Sequence, residues 1–179
     1  LNDYTATVIG MVYNGADFRD ILSRNVIYTY TGTNPNVRDY DRSNNQHYED
    51  IEAAGINIGD ALKSNDFGED TQQSKIGIPA AAAAGVMTTR AAAEAFFAAG
   101  TNRAMFRFTL LNHMCVDLEQ VQDATRIPDR IRQDVSRSPG GDSRIFMNNC
   151  ISCHSGMDSL AGAFAYYNFN EGSGQLEYT

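Results

Sequence analysis

The chain has 179 residues, of which 42% are apolar and 20% are charged, a composition typical of a globular domain. Its formal net charge of −8 argues against nucleic-acid binding, because contacts to phosphate require a basic surface. The run richest in apolar residues, 78–100, is rich in alanine and is interrupted by Gly85, Arg90 and Glu94, so no membrane span is expected.

The first half of the chain is predicted to be rich in loops. Apolar residues recur at helical spacing in residues 16–25, which predicts a short helix, and residues 26–32 are β-branched and aromatic, which predicts a strand. Residues 32–50 and 64–76 are polar and contain many turn-forming residues, so both are predicted to be loops.

From about Thr88 the chain is predicted to be helical. Helices are expected over residues 88–100, 101–120, 127–135, 144–154 and 157–169, followed by a strand over 174–179. We therefore predict a mainly α fold with long loops and a few short strands. It would consist of a loop-rich N-terminal region, residues 1–87, and a helical region, residues 88–179.

One face of the second predicted helix is expected to be buried. Met105, Phe108, Leu111 and Cys115 recur there with the helical period. Cys115 is accordingly expected to pack as a small apolar residue.

The most specific motif is Cys-Ile-Ser-Cys-His, in which Cys150, Cys153 and His154 have the spacing of c-type haem attachment. Two thiols within one helical turn can form thioether bonds with two vinyl groups on one edge of a porphyrin. The histidine that follows can then bind iron from one face of the ring. The motif thus predicts one covalently attached haem c in a helical haem-binding region.

Other uses of two cysteines at this spacing fit the sequence less well. A redox disulfide of the thioredoxin type follows a strand in a βαβ unit, and no such unit is predicted. A zinc site would need a second pair of ligands, whereas the remaining candidates, Cys115, His113 and His47, are scattered. A structural role without a cofactor is a further alternative.

Residues near the motif are expected to contact the haem. Phe146 would pack on the ring, and Arg144 would pair with a propionate through charge-assisted hydrogen bonds. Other candidates of the same kinds are Phe164, Tyr166, Tyr167, Phe169, Arg126, Arg130, Arg132 and Arg137. Asn148 and Asn149, together with Ser155 and Gly156, would let the chain bend around the ring.

The ligand opposite His154 would set the redox behaviour of the iron. His113 is the first candidate for this distal ligand, because it lies on a helix that could cross the ring. Met114 and Met147 are weaker candidates. His47 is expected to be exposed in a polar loop, from which it could reach the haem of a second subunit. An open site is the remaining alternative.

Residues 150–169 resemble a known pattern, Cys-x-x-Cys-His-x-x-Met-Asp-Pro-Leu-x-x-Ala-Phe-x-x-Phe. It occurs in the C-terminal haem-attachment region of large secreted bacterial proteins, frequent in planctomycetes and of uncharacterised function. Residues 85–115 are similar to that family's Gly-Val-Leu-Thr segment and the Arg-rich helix after it, and residues 15–32 to its Asn-Arg-Pro-Phe segment. The chain departs from the family at Ser159, where the family has proline, and at His113, where the pattern has no histidine. The resemblance implies a secreted, haem-bearing module.

These features predict a monohaem c-type cytochrome that transfers single electrons in the periplasm or outside the cell. Its partner would be a redox protein, and self-association into an assembly with aligned haems is a special case. The alternatives are a haem enzyme with an open axial site, peroxidase-like in chemistry, and a haem-bearing module of a larger secreted protein. Because the chain begins at Leu1, it is expected to be a processed product or a fragment.

Overall fold

The computed structural model describes residues 1–63, 70–98, 102–132 and 134–179. Over these residues the chain is mainly α with a few short strands, as predicted. The α-helices are α1 (Asp3–Tyr13), α2 (Gln46–Ala53), α3 (Ile58–Ala61), α4 (Gln72–Lys75), α5 (Arg90–Phe96), α6 (Asn102–Thr109), α7 (Leu118–Val121), α8 (Ser143–Asn149) and α9 (Ile151–Ala161). The strands are β1 (Thr29–Tyr30), β2 (Leu62–Lys63), β3 (Tyr167–Asn170) and β4 (Gln175–Tyr178). Short 3₁₀ helices cover Phe18–Leu22, Ala80–Ala82, Gly85–Thr88, Pro139–Gly141 and Gly162–Phe164, and a π-helical turn covers Leu110–Met114.

The chain divides into two compact units. The first comprises residues 1–98 and 168–179, and the second comprises residues 99–167. Residues 88–98 and 168–179, which the sequence analysis placed with the helical region, therefore belong to the first unit. Among the described helices, none combines the length and the hydropathy that a membrane span requires.

The first unit packs α1 and its neighbours around a core of apolar residues. This core comprises Ala6, Met11, Ile21, Val26, Tyr28, Tyr48, Ile51, Leu62 and Val86. Asp3 ties α1 to α5, because its buried carboxylate accepts the N–H groups of Arg90 (2.6 Å) and Ala91 (3.0 Å) at the start of that helix. β1 pairs antiparallel with β2, so the predicted strand over 26–32 forms but is short.

His47 lies on α2, in the part of the predicted 32–50 loop that is helical. Only 3% of the residue is exposed. Its Nε2 accepts the N–H of Tyr30 at 3.0 Å, so Nδ1 carries the proton and donates it to the carbonyl oxygen of Arg38 at 2.6 Å. The expectation that His47 is exposed and can reach a second subunit is therefore wrong, because burial and two hydrogen bonds occupy its ring.

The second unit has a small core between α6 and α9. Its fully buried residues are Phe106, Leu110, Met157 and Ala161. The predicted helix over 101–120 is α6 followed by the π-helical turn, and it ends at Cys115, whose φ of 55° lies in the left-handed region. Cys115 is exposed, so its expected burial is wrong. The buried face contains Met105 and Leu110, whereas Leu111 is 43% exposed.

Two further helix predictions differ from the structure. The described residues of 127–135 form no helix, and Asp134 among them forms an ion pair with Arg103 of α6, described below. The predicted helix over 157–169 ends at Ala161, and the chain continues through a 3₁₀ turn into β3. The predicted strand over 174–179 is β4, which pairs with β3. Residues 64–69 of the second predicted loop lie outside the described residues, and residues 72–75 of it form α4.

Candidate haem-attachment site

The motif lies at the junction of α8 and α9. Cys150 separates the two helices, with φ −120° and ψ −27°, and its carbonyl oxygen accepts the N–H of His154 at 3.1 Å. Cys153 and His154 follow three and four residues later in the first turn of α9, which places all three side chains on neighbouring positions of one helical face. The predicted helix over the motif is confirmed, with a break at Cys150.

Both thiols of the motif are free. Cys150 and Cys153 form no disulfide and are partly exposed, whereas the His154 side chain is 13% exposed. The two sulfur atoms and the imidazole of the motif are therefore not bonded to one another.

The imidazole of His154 is oriented by a carboxylate one turn further along α9. His154 Nδ1 lies 3.0 Å from Oδ1 and 3.1 Å from Oδ2 of Asp158, a side chain with no exposed surface. The structure gives Nε2 of His154 no hydrogen-bond partner among the described residues. Metal-binding histidines usually have this arrangement, with one ring nitrogen held by a carboxylate and the other left for the metal.

Asp158 is itself held by two arginines. Arg103 Nε donates to its Oδ1 at 2.8 Å, and an Nη of Arg137 donates to its Oδ2 at 2.7 Å. Burial alone would raise the pKa of Asp158, but the hydrogen bonds from Arg103, Arg137 and His154 outweigh burial, so the pKa lies below its usual value. Asp158 is therefore a carboxylate, which can only accept hydrogen bonds.

Both arginines also pair with Asp134, from the segment that precedes α8. Arg103 binds it at 2.6 Å and Arg137 at 3.0 Å, and all three side chains are at most 12% exposed. We call Arg103, Asp134, Arg137 and Asp158 the buried ion cluster. It balances two carboxylates against two guanidinium groups, as a buried charge requires.

Phe146 connects the motif with a small cavity. Its buried ring lies 5.1 Å from the ring of His154, measured between centroids, and the guanidinium carbon of Arg137 lies 4.4 Å from its centroid. The cavity has a volume of about 320 Å³, and most of its surface is apolar although two arginines and two serines also line it. Its walls include Ile127, Pro128, Arg130, Arg137, Phe146 and Met147.

The opposite side of α9 packs directly on the end of α7 and the chain that follows it. Gly156 lies against Val121, and the Ser155 hydroxyl is 2.6 Å from the carbonyl oxygen of Arg126. Ser155 and Gly156 stand inside a continuous helix, so the expected bend of the chain at these residues is wrong. They instead let α9 approach a neighbouring backbone closely.

The other predicted site residues lie apart from the motif. His113 is partly buried in the π-helical turn, edge-on to Phe108, and its Nε2 is buried without a hydrogen-bond partner. No described hydrogen bond, ion pair or ring contact joins His113 to Cys150, Cys153 or His154. Arg144 is exposed and binds Asp142 through two nitrogens. Its role toward a propionate, and that of His113 toward iron, stay predictions.

The methionines near the motif have different surroundings. Met157 is buried in the core of the second unit, whereas Met114 and Met147 are 60% and 54% exposed. Of these, Met147 lines the cavity beside Phe146. It remains a candidate axial ligand on position alone.

Sequence reasoning missed Asp158 and Arg103. The spacing of His154 and Asp158, four residues apart in a predicted helix, was a usable signal, because such pairs share a helical face. Arg103 lies 55 residues from Asp158 in the chain, and no local pattern connects the two.

No protein-family model, curated protein or solved structure matches this chain. The resemblance to the haem-attachment region of secreted planctomycete-type proteins therefore stays a prediction. Among the described residues, no group of three or more histidine, cysteine and acidic side chains is arranged to hold a metal ion. Haem iron differs in this respect, since the porphyrin supplies four of its ligands and the protein one or two.

The residues of the site fit a c-type haem on three counts. Two free thiols and an imidazole share one helical turn, and the imidazole is held through its other nitrogen. Nη1 of Arg137, on the cavity wall, is buried without a hydrogen-bond partner, which suits it to an anionic group such as a propionate. Ile127 and Met147, 84% and 54% exposed, form apolar walls that a flat apolar ring would cover.

Proposed function

We propose that the chain is a monohaem c-type cytochrome that transfers single electrons outside the cytoplasm. The observation that supports this proposal best is the first turn of α9. There Cys150 and Cys153 are free, and His154 is held at Nδ1 by Asp158 with Nε2 unpaired. In this assignment the two sulfurs form thioethers with one porphyrin, and Nε2 of His154 is the proximal iron ligand.

The haem, when bound, supplies a one-electron iron couple. The surrounding residues have separate tasks: Phe146 packs beside the proximal histidine, and Ile127 and Met147 exclude water from the apolar side of the cavity. Nη1 of Arg137 donates to a propionate. Arg130 is a second candidate for that task, because its side chain is 71% exposed and its ion pair with Asp134 is long, at 3.5 Å.

The net charge of −8 favours a redox partner with a basic docking surface. A second copy of this chain is the alternative partner, in an assembly that brings haems close together.

Covalent attachment is tested by the mass of the purified chain. The protein is produced in a bacterial periplasm together with a c-type haem-attachment system, and intact mass is measured after denaturation. We expect one haem per chain and a haem-stained band on a denaturing gel. Cys150→Ala with Cys153→Ala should abolish both signals, while Cys115→Ala, the matched control at the remaining cysteine, should keep them. A wild-type chain with the mass of its amino acids alone contradicts the proposal.

A haem enzyme with an open axial site is the second candidate. The carboxylate on His154 favours it, because a hydrogen bond to a carboxylate makes a histidine ligand more basic and stabilises oxidised iron. Visible spectra separate the two functions. Sharp α and β bands in the ferrous protein support the electron carrier, whereas a high-spin spectrum that shifts with carbon monoxide or peroxide supports the enzyme.

A further inference from the structure

We infer that Asp158 is the positioning residue for His154: it fixes the proton on Nδ1, directs Nε2 outward as a ligand, and makes the imidazole a strong electron donor to the iron. This inference rests on the proposed function, and it names a residue that lowers the redox potential of that site. It concerns a contact between two side chains of this chain, 3.0 Å apart.

The proton on Nδ1 follows from the partners of Asp158. Its two oxygens already accept from Arg103 and Arg137, and a carboxylate has no proton to give. The short contact to His154 is therefore favourable only when Nδ1 donates. In a neutral imidazole Nε2 then has the lone pair, which is the form that binds a metal.

The orientation of the ring follows from burial. Asp158 has no exposed surface and is bound by Arg103 and Arg137, so its carboxylate has a fixed position relative to the imidazole. The ring of Phe146 lies beside the imidazole, with an angle of 56° between the two planes. Together these contacts limit rotation of the ring about its bond to Cβ.

The charges around Asp158 decide how strongly it acts on His154. Arg103 and Arg137 face Asp158, but they also face Asp134, so each guanidinium group divides its charge between two carboxylates. Asp158 consequently keeps negative charge that acts on the imidazole. A more basic imidazole stabilises ferric iron over ferrous iron, and the midpoint potential falls.

The test compares two carboxylates of the same cluster. Asp158→Asn keeps the size of the side chain and an oxygen that accepts from Nδ1, but it removes the charge next to the ring. Asp134→Asn also removes one negative charge that pairs with Arg103 and Arg137. Because Asp134 does not contact His154, this variant is the matched control. Redox titration of the haem-loaded protein should show a higher midpoint potential in both variants and a clearly larger rise in Asp158→Asn.

Equal rises in the two variants, or no rise in Asp158→Asn, would overturn the inference and leave the proposed function in place. Asp158→Glu restores the charge and should return the potential toward the wild-type value. A wild-type chain without haem would overturn both the inference and the proposed function.

A further measurement uses the wild-type protein, so it tests the inference even if the variants do not fold. Proton NMR of the haem-loaded wild type should show a proton on His154 Nδ1 that exchanges slowly with water, because it is donated to a buried carboxylate. Fast exchange of that proton would overturn the inference.

Discussion

Gly156 of α9 stands directly against the carbonyl oxygen of Val121, so closely that a Cβ atom on the glycine would lie 2.2 Å from that oxygen. The helix that bears the motif and the last residue of α7 are therefore in direct backbone contact. A neighbouring hydrogen bond fixes the same contact, from the N–H of Asp123 to the carbonyl oxygen of Ser152 at 3.1 Å. The position of Cys153 and His154 depends on this packing.

Gly156→Ala should destabilise the protein by about 1–3 kcal/mol, since the new methyl group would push α9 away from a backbone atom that cannot rotate aside. Gly162→Ala is the matched control, because the nearest side-chain atom there is 3.9 Å away and φ is −55°. It should change the free energy of unfolding little, or raise it slightly. Urea denaturation followed by circular dichroism measures both. Equal effects would show that the close approach is unimportant.

Loss of a carboxylate from the buried ion cluster should cost far more than loss of a surface pair. Asp158→Ala leaves Arg103 and Arg137 with one shared partner and should lower the free energy of unfolding by about 3–5 kcal/mol. Asp129→Ala removes an exposed ion pair, in which the side chains of Asp129 and Arg126 are 48% and 52% exposed. It should lower the free energy of unfolding by about 0–1 kcal/mol. The measurement is urea denaturation of the full chain. A cost near 1 kcal/mol for Asp158→Ala would contradict the structural importance of the cluster.

His113 has a buried, unpartnered Nε2, and such a group costs stability unless a ligand uses it. If the iron is coordinated on both faces by histidine, His113→Ala should convert a low-spin spectrum to a high-spin one. Met147→Ala and Met114→Ala are the controls and should leave the spectrum unchanged. An unchanged spectrum in His113→Ala excludes it as the distal ligand, and a change in Met147→Ala would assign that role to the cavity methionine.

Stability should fall as the pH drops below the usual histidine pKa of about 6.5. Burial lowers the pKa of His47, which the hydrogen bond to Arg38 only partly offsets, and burial also lowers the pKa of His113. The unfolded chain therefore binds protons before the folded chain does, so stability decreases from that pH downward until the folded-state pKa is passed. Urea denaturation at pH 7.5 and pH 5.5 measures the decrease.

His47→Gln should reduce this pH dependence, because glutamine does not titrate in the range. His113→Gln tests the second contribution separately, and a protein in which both are replaced should show the smallest dependence between the two pH values. A dependence that is unchanged in the double variant would assign it to other groups.

The sequence by itself indicated the motif by its spacing and predicted the helices that have local signals. Cys150, Cys153 and His154 are recognisable because their spacing fits one helical turn. Thr89 marks the start of α5 because a threonine side chain can accept an N–H group at a helix start. The mainly α character and the strand after Gly174 also follow from short-range patterns.

Only the tertiary structure decided what surrounds the motif. Arg103 lies 55 residues from Asp158 in the chain and binds it directly. Asp134 lies 24 residues from Asp158 and is connected to it through the arginines that both carboxylates bind. These long-range ion pairs are found where a helix was expected over 127–135. His47 is buried, and its ring binds a backbone N–H and a carbonyl group that lie 17 and 9 residues earlier in the chain. Cys115 is exposed because the helix ends there in a left-handed turn. Burial and ion pairing arise between segments that are far apart in the chain, and no local period of residues encodes them.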